Sequence, residues 1–368
     1  MTMVRRIELH SIPVSARTTW LVVSIADGDG RVGLGECSDA APGAVTAGLV
    51  RRIEALLRGH DTDAARELLP ALAEHLVAAG AGAFAARTVC GGVATALGDL
   101  AAQRAGVPLW SWLAPGRPAP DSIELYANLN RSLGRRRPED FARQARHAVA
   151  DGFRAVKVAP FDGLTGPRRA AEGLVRARAV RDAVGPGVDL MIDVHDILEP
   201  PELRAIGGGL ARLGPRWVED AARIDDLDAL RAAREAVGAP LAGGEFAVAV
   251  REVHPALEAG LLDVLVPDLK HAGGPRPALE LACAATRAGA QVSLHNPSGP
   301  VATAASLHAS VTAGAGLLEF AYGEVPWRGA VVDPPEEPEN GRLAVPATPG
   351  LGVSLSHLHA ARGAALAS

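Results

Sequence analysis

From residue 123 onward the chain repeats one beat, a short apolar run followed by an amphipathic stretch of helical period. After "IELYANLN" the runs are "AVKVAP" (155–160), "DLMIDVH" (189–195), "WVEDA" (217–221), "PLAGGE" (240–245), "LDVLVPDL" (262–269), "AQVSLHN" (290–296) and "LLEFAY" (317–322). Stretches such as "EDFARQARHAVADG" and "ALELACAATRAG" lie between them. Strands that alternate with helices must pair in parallel, because each crossover returns the chain to the same end of the sheet. Eight such strands close most simply into a (β/α) barrel. No G-x-G-x-x-G follows any run, which argues against a dinucleotide-binding sheet. The triplet "GGG" at 207–209 follows a helical pattern and reads as a loop or helix C-cap.

The first third has a different texture. Residues 4–37 read as a β-hairpin or meander turning at "DGDG", which lacks the rest of a twelve-residue calcium loop. Residues 43–113 are Ala- and Leu-rich with helical periodicity, and "APGRPAPD" (114–121) is a Pro-rich linker. The expected division is a barrel over 121–322 and an α+β capping part formed by 1–120 plus 323–368. The cap is expected to close over the barrel mouth, with the loop near 14–20 contributing specificity. The final "LSHLHAARGAALAS" reads as a short helix or frayed tail.

Charge and composition remove several classes of function. The net charge is -5 and no basic run exceeds the three arginines at 135–137, so there is no nucleic-acid footprint. No stretch offers about 20 consecutive apolar residues, and the start lacks a signal-peptide core, so no membrane is expected and a cytoplasmic location is. Three cysteines (Cys37, Cys90 and Cys283) without C-x-x-C spacing fit neither a disulfide framework nor a structural zinc site, and they read as buried small apolar residues.

In a barrel of this kind the chemistry sits where the strands end. The polar residues at the ends of the runs form a series: Lys157; Asp193 and His195; Glu219; Glu245; Asp268; His295; Glu319. Lys157 is one of only two lysines in the chain. One polar residue at a strand end is usually a cap, but seven consecutive strands each supply one. So many ionisable groups at one mouth cost stability unless they are paired or bind a metal. Asp193, Glu219 and Glu245 fall one βα unit apart, a set of hard oxygen donors suited to Mg²⁺. Alternation along a strand would point His195 the same way as Asp193, and Ala159 the same way as Lys157.

These motifs, in this order, resemble the enolase superfamily, mandelate racemase subgroup, over nearly the whole chain. The resemblance rests on "WLVVSIADGDGRVGLGE", "GVPLWSWLAPG" and "GRLAVPATPGLGV" outside the barrel, and on "IDVH", "WVED", "GGE", "VPDLKHAGG", "SLHNPSGP" and "LLEFAY" within it. It implies a (β/α)7β modified TIM barrel with an α+β cap. It also implies Mg²⁺ on Asp193, Glu219 and Glu245, and a His295–Asp268 pair that removes a proton α to a carboxylate. Lys157 would pair a carboxylate oxygen, and Glu319, if protonated, would donate to the enediolate. The superfamily's K-x-K motif is here Lys157-Val158-Ala159, so the second lysine base is absent. His195, in a D-x-H motif, would replace it, which resembles the acid-sugar dehydratases of the galactonate and mannonate type. The reaction implied is dehydration of a 2,3-dihydroxy acid to a 2-keto-3-deoxy acid, with His295 as base and His195 as acid, the two in exchanged roles, or one performing both steps. The arginine expected beyond D-x-H is missing from "DILEPPE".

Substrate contacts are less sharply marked. Asn128 and Asn130 alternate inward with Tyr126 on the first strand, Asp162 follows Lys157, and Tyr322 ends the last strand. Tyr126 and Tyr322 read first as core aromatics and second as lining the site. Lys270 reads as a rim charge. Two other readings stay open: a racemase or epimerase with His195 and His295 as opposed bases, and a barrel that binds a sugar acid without turning it over. The expected partner is a small carboxylate, with the chain assembling as a homo-oligomer.

Overall fold

The computed structural model describes residues 2–357. Most of the Ala-rich tail, from 358, lies outside the described residues. The chain opens with an antiparallel meander, β1 (Val4–Pro13), β2 (Thr19–Asp27) and β3 (Val32–Glu36). The helices α1 (Gly43–Leu57), α2 (Thr62–Ala78), α3 (Ala83–Ala105) and the short α4 (Leu109–Leu113) follow. The meander and helices share a core of residues such as Ile25, Ile53, Leu76, Val89 and Leu97. Helix α3 is buried on nearly every side because it sits between the meander and the barrel. Its Gly91 permits the barrel contact: a Cβ there would stand 2.2 Å from the Lys270 carbonyl oxygen.

The barrel strands are β4 (Ser122–Asn128), β5 (Ala155–Val158), β6 (Asp189–Asp193), β7 (Trp217–Glu219), β8 (Leu241–Gly243), β9 (Val264–Leu265), β10 (Gln291–Val292) and β11 (Leu317–Ala321). All pair in parallel in the order β10-β9-β8-β7-β6-β5-β4-β11. A parallel bridge between Leu294 and Leu318 closes the ring. The intervening helices are α5 (Pro138–Ala150), α6 (Arg169–Val184), α7 (Pro200–Ala211), α8 (Leu227–Val237), α9 (Val250–Glu258), α10 (Leu269–Ala272), α11 (Pro275–Arg287) and α12 (Pro300–Ala313). The fold is therefore a (β/α)7β barrel with an α+β cap. A late strand, β13 (Arg342–Ala344), adds antiparallel to β4 beyond the short β12 (Val332–Asp333).

Inside the barrel Tyr126, Ala155, Met191, Trp217, Ala242, Val264, Val266 and Leu317 pack together and fill the interior. The cap is tied to the barrel by Glu36, whose carboxylate accepts from the Gly299 and Ala302 amides at the N-terminus of α12, at 2.7 and 2.9 Å. Those amides have no partner within the helix, and the helix dipole favours a negative charge there.

Two readings of the sequence change. The "GGG" triplet lies inside α7, not in a loop. A Cβ at Gly207 would stand 1.9 Å from the Ala236 carbonyl oxygen, so the glycine serves close packing of α7 on α8 rather than a turn. Cys37 and Cys90 are buried as expected, but Cys283 is exposed on α11.

Candidate active site

Each strand delivers its polar residue to the same end of the barrel, because parallel strands place their C-termini together. Asp193 and Glu219 are register partners on β6 and β7. Lys157 rises from β5 beside them, and Glu319 from β11 on the other side of β4. The Lys157 ammonium stands 2.6 Å from Glu219 Oε1, 3.0 Å from Glu319 Oε1 and 3.4 Å from Asp193 Oδ2. All four side chains are within 1% of complete burial. From the layer below, the Trp217 indole N–H donates to Glu219 Oε2 at 3.0 Å.

Glu245 lies two residues past β8, where Gly244 takes φ +105° and turns the chain across the mouth. Its Oε2 is 2.7 Å from His295 Nε2 but without hydrogen-bond geometry, leaving a buried carboxylate oxygen short of a donor. Asp268 caps the N-terminus of α10 and binds His295 Nδ1 at 2.9 Å. Burial opposes charge on His295, yet Glu245, Glu319 and Asp268 around it hold its pKa well above the usual imidazole value.

His195 reaches the site by a route that alternation does not foresee. Strand β6 ends at Asp193, and His195 turns in the left-handed region at φ +51°, its amide donating to Asp193 Oδ1 at 3.1 Å. The ring nonetheless returns to the cluster, with Nε2 3.0 Å from Asp193 Oδ2 and Nδ1 2.7 Å from Asp162 Oδ1. Against the cost of burial, Asp193 and Asp162 lift its pKa to about 11.

The remaining candidates separate. Asn128 donates to Glu319 Oε1 at 2.6 Å, and its own Oδ1 accepts from the Asn130 amide at 2.8 Å. Asn130 Oδ1 in turn holds the Ala159 amide at 2.7 Å, so both asparagines brace the ends of β4 and β5. Tyr126 packs edge-on against Trp217, beneath Lys157. Tyr322 stands apart from the cluster: its hydroxyl donates to Asp151 at the C-cap of α5 and its ring meets Phe153. Asp162 contacts His195 and Arg136. Lys270 is buried, not at the rim, with its ammonium 2.6 Å from Asp268 Oδ2. Glu319 accepts from Asn128, from Lys157 and from the Asn296 amide at 2.9 Å. Burial raises its pKa, but Lys157, His295 and the Asn296 amide together lower it below the usual range. As placed, both Glu319 oxygens face donors, Oε1 the Asn128 amide and Lys157, and Oε2 the Asn296 backbone N–H.

One acidic residue escaped the sequence reading. Asp220, next after Glu219 in "WVED", turns at φ +44° and lines a cavity of about 960 Å³ with His195 and Glu245. Burial, then Glu245 and Asp193, push its pKa well above the carboxylate range. The outer wall of this cavity includes Ile224, Leu227, Phe246 and Pro255.

The donor set suits a hard cation. Burial followed by the neighbouring carboxylates Asp193, Glu319 and Glu245 raises the pKa of Glu219 to about 7 even beside Lys157, and Glu245 keeps an oxygen without a donor. Excess buried negative charge of this kind is relieved by a divalent ion. Among the described residues no three His, Cys, Asp or Glu side chains converge as a ready cage. The three carboxylates turn instead to Lys157, His195 and His295.

Comparison with known proteins places the fold. The family model described as enolase C-terminal domain-like matches residues 140–359, which holds every strand of the barrel but the first. The chain belongs to the enolase superfamily. Within that superfamily it is similar to a D-gluconate dehydratase of Thermoproteus tenax, 32% identical over 74% of this chain and 55% of that protein. The match therefore spans about half of the dehydratase's length. A D-galactarolactone cycloisomerase of Agrobacterium fabrum is 30% identical over 92% of this chain and 90% of its own. Other relatives are named dehydratases of galactonate, arabinonate and xylonate. Among solved structures, a mandelate racemase/muconate lactonizing enzyme from Jannaschia sp. CCS1 superposes with a TM-score of 0.82 at 26% identity, covering 99% of this chain and 97% of that one. Among the described residues no helix of this enolase-superfamily chain is long and apolar enough to cross a membrane.

Proposed function

We propose that the protein is a hydro-lyase that dehydrates a 2,3-dihydroxy carboxylic acid of the sugar-acid class to a 2-keto-3-deoxy acid. The observation that carries this reading is the placement of two histidines. His195 follows the third strand of the barrel and His295 the seventh, so they stand on opposed sides of an eight-strand ring and each turns Nε2 to the central carboxylates. A proton leaving one face of a carbon chain and a hydroxyl leaving the other need a base and an acid so disposed.

A proton next to a carboxylate is weakly acidic, so its removal depends on stabilising the charge that develops on the carboxylate oxygens. Mg²⁺ held by Asp193, Glu219 and Glu245 would supply most of that stabilisation as a Lewis acid. Lys157 presents its ammonium to the same region and would pair a substrate carboxylate oxygen. In its neutral form, favoured once a bound cation would offset the Glu245 charge that raises its pKa, His295 takes the C2 proton at Nε2, while Asp268 on Nδ1 fixes the ring and stabilises the imidazolium. His195 gives its Nε2 proton to the departing 3-hydroxyl, and the resulting enol tautomerises to the ketone. Glu319 balances the charge of Lys157 and is itself fixed by Asn128 and the Asn296 amide.

The cycloisomerase likeness supports a second reading. Departure of a ring oxygen from the carbon β to a carboxylate needs the same base and the same enediolate, and differs only in that the leaving group is a carboxylate. A screen of the protein with Mg²⁺ against C4 to C6 aldonic, aldaric and uronic acids and their lactones, reading 2-keto-3-deoxy product as its semicarbazone, separates the two. Product from an open-chain acid supports the dehydratase. Product from lactones alone supports the cycloisomerase, and exchange at C2 without elimination supports an epimerase.

A further inference from the structure

Asp162, in the loop after β5, stood in the sequence as a candidate for binding substrate hydroxyls, but its oxygens are already engaged. Oδ1 is 2.7 Å from His195 Nδ1, and Oδ2 lies 3.2 Å from Arg136 Nη2 and 3.4 Å from Nη1. The loop that carries it is pinned: Arg176 on α6 donates to the carbonyl oxygens of Pro160 and Asp162 at 2.9 and 3.0 Å. Arg136 is fixed in turn against the Phe141 ring, 5.7 Å from its centroid.

The same four-part arrangement occurs on the other side of the barrel. There Lys270 pairs with Asp268, Asp268 with His295 Nδ1, and His295 Nε2 faces Glu245, at 2.6, 2.9 and 2.7 Å. Here Arg136 pairs with Asp162, Asp162 with His195 Nδ1, and His195 Nε2 faces Asp193. Both histidines thus sit between an aspartate bound to a cation and a carboxylate of the central cluster. We infer that Asp162, held by Arg136, is the positioning residue of His195: it fixes the Nδ1–H form of the ring and keeps Nε2 turned to the site.

The inference rests on the dehydratase reading for its kinetic consequence, though not for its structural one. A carboxylate on Nδ1 requires a proton on that nitrogen, so the neutral ring is left with its lone pair on Nε2 and the charged ring with a donor there. Without Asp162 the ring would lose both its orientation and its tautomer. His195 would then fail as the acid for the leaving hydroxyl, while His295 could still take the C2 proton.

The test uses Asp162→Ala and Asp162→Glu in the full chain saturated with Mg²⁺. Nitrogen-15 and proton NMR of the imidazoles, with His195 assigned by difference against His195→Asn, reads the hydrogen bond at Nδ1 without any substrate. The wild type and Asp162→Glu should show a His195 Nδ1–H proton held downfield by its hydrogen bond and slow to exchange with water, and Asp162→Ala should lose that signature. With a substrate that wild type dehydrates, Asp162→Ala should lower kcat for elimination about 10²-fold, the scale of an acid–base contribution. KM and deuterium exchange at C2 should stay within about threefold, with Asp162→Glu recovering most of the elimination. An unchanged His195 Nδ1–H signal in Asp162→Ala would overturn the inference. So would a rise in KM at constant kcat, which would make Asp162 a substrate contact, or equal losses of exchange and elimination. If wild type dehydrates nothing, the dehydratase reading fails, and the NMR result still decides the role of Asp162.

Discussion

Asp193 and Glu219 are direct register partners on neighbouring parallel strands, and neither side chain is more than 1% exposed. Two buried carboxylates side by side repel, and Lys157 is shared among both and Glu319, with only His195 adding positive charge at Asp193. A divalent ion should therefore stabilise the fold as well as the reaction. Calorimetry with Mg²⁺ should show wild-type Tm rising with ion concentration, by about 2.7 kcal/mol of stability at 100 times Kd. Glu219→Gln should abolish that response while leaving the metal-free Tm equal or higher, since it removes one of the crowded charges.

Lys157 carries the opposite expectation. Its removal leaves Asp193, Glu219 and Glu319 buried without their shared cation, and breaking a buried ion pair costs about 3–5 kcal/mol. Urea unfolding of metal-free Lys157→Met should show a loss of that size. Mg²⁺ should return part of it to this variant, because an ion held by Asp193 and Glu219 would neutralise two of the same carboxylates.

Much of this site was legible in the sequence because the barrel turns chain order into spatial order. Each apolar run ends where its polar residue must face the mouth, so Asp193, Glu219 and Glu319 could be placed from their positions at the ends of the runs. What was hidden depended on backbone turns and on packing between distant segments. His195 and Asp220 turn at positive φ, which alternation along a strand cannot express. Lys270 looked like a rim charge because nothing near it in the chain announces that α3 covers it, through Gly91. Arg136 lies in an arginine triplet with no local sign of which member meets Asp162. The glycines of α7 imitate a turn because a helix that packs this closely and a loop both call for a residue without a side chain.

The cap offers a test by pH. Asp99 on α3 is fully buried and accepts from the Leu34, Leu351 and Gln103 N–H groups at 2.9, 2.8 and 2.9 Å. Burial outweighs these donors and raises its pKa from 3.8 to about 6. A carboxyl with a raised folded pKa contributes stability that is present below the unfolded value and lost as pH rises through the folded one. Its contribution should thus fall between about pH 4 and pH 6, by about 3 kcal/mol for the full shift. Unfolding free energies measured at intervals from pH 4 to 7 should fall more steeply in wild type than in Asp99→Asn, with the difference between the curves confined to that window.

The central claim is that His295 removes the proton next to the carboxylate and His195 assists only the departure that follows. Proton NMR in D₂O, with Mg²⁺ and a substrate from the acid panel, follows loss of the C2 proton and formation of product separately. In His195→Asn the C2 proton should exchange within about threefold of the wild-type rate while product formation falls by ~10²–10⁴. In His295→Asn both should fall by that factor. Exchange at C2 that persists at the wild-type rate in His295→Asn would contradict the account.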